Sequence, residues 1–186
     1  MEAKTLQTIT KELTVYGKMV REDEIHKMVE LCAAANRIFV GGAGRSGFCA
    51  RGFANRLMHL GKTVYVVGET TTPSIQKGDL LVIGSGSGTT ASLVTDAKKA
   101  KAQGASIATI TLCPDAAIGQ LADAIVTVPG VTWKSDGVEN EVTTIQPGGS
   151  LFEQLSWLIY DSIVVELMTA LGQTEETMAP RHANLE

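Results

Sequence analysis

Arg37-Ile-Phe-Val-Gly-Gly-Ala-Gly-Arg-Ser-Gly47 and Asp79-Leu-Leu-Val-Ile-Gly-Ser-Gly-Ser-Gly-Thr-Thr90 are two renderings of one pattern. Each is a short apolar run that ends in glycine, enters a loop of glycine and hydroxyl side chains, and gives way to helical spacing. The first is followed by a helical pattern from Ser46 to Leu60, closed by Gly61, and the second by one reaching Lys101. Further apolar runs at Thr63–Val67, Ile107–Leu112 and Ala124–Val128 bring the expected strands to five, with a short helical stretch over Ala116–Ala122 before the last. Strands that are apolar throughout and separated by helices imply a parallel sheet covered on both faces. The expected fold class is α/β, a three-layer doubly wound sandwich on a five-stranded parallel sheet.

Outside this core, Leu6, Ile9, Leu13, Val20, Ile25, Met28, Val29 and Leu31 fall at helical spacing, with a break at Gly17, and predict a helical lead-in over residues 1–36. The α/β core is expected over 37–130 of a single domain spanning 1–186. Val131 to Gly149 reads as a long polar connection broken by Pro147-Gly-Gly149, of a length that suggests function or mobility. Residues 150–172 form one long helix stopped by Gly172, and its apolar surface is wider than a surface helix needs, so a subunit interface is expected there. The polar tail, 173–186, has the composition of a frayed terminus.

At 186 residues, with 44% hydrophobic and 19% charged side chains, the chain has the composition of one globular domain. A net charge of -4 without a dense Lys/Arg run disfavours nucleic acid and membrane surfaces as partners. Cys32, Cys49 and Cys113 cannot all pair within one chain, and the N-terminus lacks the apolar core of a signal peptide. No stretch reaches the ~20 apolar residues of a membrane span. A cytoplasmic protein is expected.

Ligands of open parallel sheets bind beyond the carboxyl ends of the strands, which is where the two glycine-rich loops lie. Their glycines allow close backbone approach to an anion, and their hydroxyls add donors to phosphate oxygens. Gly44, Arg45 and Ser46 in the first loop, and Ser85, Gly86, Ser87, Gly88, Thr89 and Thr90 in the second, are the candidate phosphate ligands. The plainer reading is a pair of tight turns with Ser or Thr as helix caps. Gly42, Gly44 and Gly47 also spell G-x-G-x-x-G, with Glu69 near the end of the next strand, so a dinucleotide site is the rival. A second anion loop and the short chain argue against it. Neither loop carries the Gly-Lys-Ser/Thr ending of a triphosphate site.

With Gly42-Ala-Gly-Arg-Ser46 and Ser85-Gly-Ser-Gly-Thr-Thr90 in place, the chain resembles the sugar isomerase (SIS) domain family, whose flavodoxin-like fold holds a phosphosugar between two such loops. Within it, Gly44-Arg-Ser-Gly47, Gly68-Glu-Thr-Thr-Thr-Pro73, Gly78-Asp79 and the terminal Arg181-His-Ala-Asn-Leu-Glu186 are similar to the 6-phospho-3-hexuloisomerases, over essentially the whole chain. That resemblance implies interconversion of D-arabino-hex-3-ulose 6-phosphate and D-fructose 6-phosphate through an enediol. It further implies a homotetramer, a hexulose-phosphate synthase as pathway neighbour, and a place in formaldehyde assimilation or detoxification by the ribulose monophosphate pathway. A non-catalytic phosphosugar sensor is the alternative of a different class, although the N-terminal residues are too few for a complete helix-turn-helix regulator.

Shifting a carbonyl between adjacent carbons needs a base and donors to the enediolate oxygens, and it requires no cofactor and no metal. Glu153 is the candidate base. It opens the long helix after a glycine-rich hinge and matches the family's catalytic glutamate, yet Ser150-Leu-Phe-Glu153 also spells a capping box. His59 lies roughly 20 Å along a helix from Ser46, so a catalytic His59 would complete a neighbouring subunit's site; an interface histidine is equally compatible. His182, flanked by Arg181 and Asn184, would act as acid or base if the tail closes over a sugar, with Arg181 near the phosphate; otherwise the tail is simply solvated. Arg45 would either neutralise phosphate or pair with an acid at an interface. Thr70, Thr71 and Thr72 would line the pocket or cap their loop.

Overall fold

The computed structural model describes residues 2–131 and 142–185. Its helices and strands run α1 (Lys4–Gly17), α2 (Glu22–Ala34), β1 (Ile38–Gly42), α3 (Gly44–His59), β2 (Val64–Val66), β3 (Leu80–Gly84), α4 (Ala91–Ala102), β4 (Ser106–Thr111), β5 (Ala124–Thr127), α5 (Ser150–Ala170) and α6 (Glu175–Met178). The strands form one parallel five-stranded sheet in the order β2-β1-β3-β4-β5. β1 therefore sits beside both β2 and β3, and the chain winds outward from it in two directions.

Side chains alternate between sheet faces along a strand, and that alternation sorts the core into two layers. Ile38, Val40, Leu80, Val82, Ala108, Ile110, Ala124 and Val126 bury against α2, α3 and α5. Phe39, Leu81, Ile83 and Ile107 bury on the opposite face with Leu93, Ala97 and Ala100 of α4 and with Ile118. The three-layer arrangement expected from the apolar runs is the one observed.

The stretch expected to be helical over Ala116–Ala122 is only a 3-10 turn at Gly119–Leu121. Ile118 plugs the α4 layer while its amide donates to the Gly88 carbonyl at 3.0 Å, and a Cβ on Gly119 would lie 1.8 Å from the Pro114 carbonyl oxygen. The segment makes one i→i−4 bond, from the Gln120 amide to the Ala116 carbonyl at 3.0 Å, and then tightens to i→i−3 bonds at Leu121 and Ala122. Most of the polar connection from Val131 to Gly149 lies outside the described residues. No single helix among those described is long and apolar enough to cross a membrane.

Two contacts fix β1 against β3 at either end. At the start, Arg37 donates from Nε to Asp79 Oδ1 at 3.0 Å, and the Gln76 amide donates to the same carboxylate at 2.8 Å. Burial alone would raise the Asp79 pKa, but these donors hold it below the ordinary carboxylate value. At the other end Gly42 lies opposite Gly84. Gly42 also receives the first turn of α3: a Cβ on Gly47 would lie 2.8 Å from the Gly42 carbonyl oxygen, and one on Gly42 would lie 2.9 Å from Gly47 Cα.

These contacts are backbone against backbone and cannot be relieved by a rotamer change. Gly47→Ala should destabilise the fold by roughly 2–3 kcal/mol, the cost of overpacking a rigid site. Gly44 has φ +57° and open space within 4 Å of where a Cβ would sit, so Gly44→Ala should cost only about 1 kcal/mol, from backbone conformation alone. Urea unfolding of the two variants checks the order; a Gly44 variant less stable than the Gly47 variant would contradict it.

Candidate active site

β1 and β3 are neighbours whose following helices lie on opposite faces of the sheet, so the loops leaving them diverge and open a crevice at the switch in winding direction. The crevice is a cleft of about 350 Å³. Its floor and sides include Gly44, Arg45 and Ser46 from the first loop and Ser85, Gly86, Ser87 and Thr90 from the second, and Glu153 completes it from α5. Ala43, Gly84, Leu93, Gly148, Gly149 and Phe152 also line it, and none carries a charge or hydroxyl that marks it as a ligand in the sequence. The Pro147-Gly-Gly149 break is the available signal for the fourth wall.

Gly88 and Thr89 do not line the cleft. Gly88 turns the loop at φ +63° against Ala116, and Thr89 donates from Oγ1 to the Ser87 hydroxyl at 3.1 Å. They shape the loop behind its inner surface. Ser85 and Ser87 are themselves buried.

The N-caps of α3, α4 and α5 are Ala43, Thr90 and Gly149, and none of these helices has a side-chain cap. All three N-caps or first turns border the same cleft. The capping role open to the loop hydroxyls is therefore not realised. Uncapped first-turn N–H groups and the positive ends of three helix dipoles face one space, an arrangement complementary to an anion.

The capping box spelled by Ser150-Leu-Phe-Glu153 does not form either. Gly149, at φ 89°, is the N-cap, and the Ser150 hydroxyl accepts from Arg45 Nη1 at 2.9 Å. The Glu153 carboxylate lies 2.7 Å from the same guanidinium. Its Oε2 is buried and receives no well-aligned hydrogen bond, so the contact is ionic and leaves acceptor capacity unused. Burial raises the Glu153 pKa, and Arg45 only partly offsets that shift. The Arg45 side chain is 62% exposed, so it partners an acid of its own chain while still reaching the cleft.

His59, Arg181 and His182 are brought together, but away from this cleft. Along α3, His59 lies about 20 Å from Ser46 of the first loop. There the buried His59 ring stacks on His182, with centroids 5.2 Å apart and planes 14° from parallel. Arg181 ties the tail down, donating from Nη1 to the His59 carbonyl, Gln173 Oε1 and the Thr177 carbonyl, each at 3.0 Å. The tail is thus folded into α6 and a 3-10 turn, where composition suggests fraying; Glu186 lies outside the described residues. Burial, assisted by Arg56 and His182, lowers the His59 pKa and favours its neutral form.

Glu69, the residue behind the dinucleotide alternative, is held on the surface by Arg51 at 2.6 Å. Thr72 caps its own loop, donating to the Val66 carbonyl at 2.7 Å. Among the described residues, Glu22, His26 and Glu166 have ligand atoms within 4.8 Å of one another. This surface trio is remote from the cleft, about 20 Å along α5 from Glu153.

Residues 31–137 match the SIS domain family. The chain is 43% identical over 178 residues to the 3-hexulose-6-phosphate isomerase of Bacillus subtilis (strain 168), covering 96% of this chain and 95% of that one. It is 40% identical over 180 residues to the 3-hexulose-6-phosphate isomerase of Methylomonas aminofaciens, covering 97% of both. A crystal structure from Methanococcus jannaschii, which infers a molecular function of 3-hexulose-6-phosphate isomerase for that protein, has a TM-score of 0.82 at 33% identity and covers 98% of this chain and 99% of that one.

The opposed effects on Glu153 have a measurable sign. Its side-chain carboxyl carbon, followed by NMR, should titrate above the ~4.3 of an unperturbed glutamate. Arg45→Met should move the midpoint further up, because the cation that favours the carboxylate is gone. A midpoint that falls in the variant would contradict the assignment of burial as the dominant effect.

Proposed function

The chain belongs to the SIS domain family, and on that footing we propose that it interconverts D-arabino-hex-3-ulose 6-phosphate and D-fructose 6-phosphate. The observation that carries this reading is the meeting of three uncapped helix N-termini and one part-buried carboxylate in a single cleft. The helix ends and the hydroxyls of Ser46, Ser85, Ser87 and Thr90 bind the phosphate without metal or cofactor, and Glu153 faces the sugar carbons. Near-full-length identity to proteins named 3-hexulose-6-phosphate isomerase supports the choice of sugar.

Glu153 removes the proton from C2 of the 3-ulose, and the electron pair becomes the double bond of a C2–C3 enediolate. The same carboxyl returns the proton to C3, while a proton passes from the oxygen on C2 to the oxygen on C3. A carboxylate whose pKa is raised by burial is a stronger base than an exposed one. Arg45 holds it ionised and oriented.

The oxygen-to-oxygen proton needs a second group. His59 and His182, too far from their own cleft, serve the cleft of a neighbouring subunit in a homotetramer, and Arg181 reaches that neighbour's phosphate. The exposed Phe48 on α3 and Trp157, Leu158 and Val165 on α5 supply apolar surface for such an assembly. Three free cysteines suit a cytoplasmic setting. The 3-ulose phosphate would come from a hexulose-phosphate synthase during formaldehyde assimilation or detoxification.

A coupled assay that generates the 3-hexulose phosphate in place should detect fructose 6-phosphate at a rate unchanged by EDTA. In that assay Glu153→Gln should lower kcat by about 10³-fold while fructose 6-phosphate still binds. Near-normal turnover of this variant would remove Glu153 from the chemistry.

Hybrid oligomers test the histidines. Glu153→Gln and His59→Ala chains, each with low activity alone, should regain turnover when co-expressed, because some clefts then combine an intact Glu153 with a neighbour's intact His59. Absence of any recovery would return His59 to a structural role.

A further inference from the structure

Helix α1 contributes no buried residue to the core, yet it is bonded closely to one segment distant in sequence. Glu12 accepts three hydrogen bonds: Oε2 from Thr144 Oγ1 at 2.7 Å and from Gln146 Nε2 at 3.0 Å, and Oε1 from the Ile145 amide at 2.9 Å. One turn further along α1, the Tyr16 hydroxyl donates to the Thr143 carbonyl at 2.7 Å and receives the Thr143 amide at 3.0 Å. Both polar groups of the Thr143 backbone and three donors of residues 144–146 are thus satisfied by two side chains of α1.

This segment leads directly into the cleft. Gln146 is buried, Pro147 accepts from the Ser150 amide at 3.0 Å, and Gly148 and Gly149 line the wall beside Glu153. Gly149 is the N-cap of α5, so the segment's path sets where the first-turn N–H groups of α5 meet the ligand. α5 itself is anchored independently by the burial of Leu151, Phe152 and Leu155. What α1 holds is residues 143–146, the approach to two glycines that have no side chain to anchor them, of which Gly149 donates its amide to the Val131 carbonyl at 3.0 Å.

We propose that Glu12 and Tyr16 are positioning residues for the active-site cleft, clamping residues 143–146 so that the Gly148–Gly149 wall is pre-formed for a sugar phosphate. The inference rests on the cleft being the sugar-phosphate site. Glu12 acts through charge-assisted bonds, the kind a neutral side chain cannot replace in full. Pre-forming the wall means that binding does not have to order it, so the effect falls on affinity more than on the chemical step. Because Glu153 stays seated on the buried part of α5, kcat is largely spared.

The test uses the full chain with Glu12→Ala, Glu12→Gln and Tyr16→Phe. Calorimetric titration with fructose 6-phosphate should give a Kd about tenfold weaker for Glu12→Ala, as expected for the loss of a bonded charged group. Glu12→Gln should fall between it and the parent, since the amide keeps one acceptor but turns a donor toward Thr144 and Gln146 or toward the Ile145 amide. KM in the coupled assay should follow Kd, with kcat within about twofold. Hydrogen exchange at the Thr143 and Ile145 amides should accelerate in the matching variants.

Unchanged Kd in Glu12→Ala and Tyr16→Phe would overturn the proposal. So would a loss of active-site concentration and Tm with KM unchanged, the mark of a purely structural contact. A parent protein that binds fructose 6-phosphate without turning over the 3-hexulose phosphate would defeat the reaction assigned above, while the Kd series would still decide the clamp.

Discussion

The parallel register of β1 on β3 is the constraint from which the rest of this molecule follows. With Gly42 opposite Gly84, two strands end at the same height and release their loops side by side. α3 returns on one face of the sheet and α4 on the other, so neither loop covers its neighbour. The space between them is a consequence of topology, and it opens where backbone N–H groups are still unpaired. The Arg37–Asp79 pair holds the opposite ends of the two strands together. Gly42 and Gly47 allow α3 to start immediately beyond β1, at a backbone separation that a Cβ would prevent.

α5 closes this crevice and brings it a carboxylate. It enters from outside the β-α alternation, uncapped and led in by Gly148 and Gly149, and places a carboxylate among groups that otherwise favour anions. Glu153 is caught between burial, which favours its proton, and Arg45, which favours its charge. Such a balance suits a group that must give and take one proton. The geometry also separates tasks: loops after β1 and β3 present hydroxyls and amides, while the carboxylate rides on a helix packed deeply into the core.

Much of the architecture is legible along the chain because parallel strands buried on both faces must be apolar throughout, and glycine marks the places where each one turns. α1, α2 and the five strands lie close to where spacing puts them. Gly119 falls within a helical pattern, but the segment closes as a 3-10 turn over Gly119–Leu121, with the Pro114 carbonyl so near that only glycine fits. The S-x-x-E pattern at Ser150 is ambiguous for a different reason. Whether Ser150 caps a helix or meets an arginine depends on Arg45, which is distant in sequence and adjacent only after β1 and α5 have been placed.

The sequence alone determined the local conditions: where the backbone can bend, which runs must be buried, and which loops carry donors at strand ends. Period and composition report these because they act between near neighbours in the chain. Tertiary structure alone decided which of those features meet. It brought Arg45 to Glu153, stacked His59 on His182 with Arg181 as the tie, and set Glu12 and Tyr16 against residues 143–146. Each of these is a polar contact between segments far apart in sequence, directed by distance and angle, and no repeat in a linear chain records it.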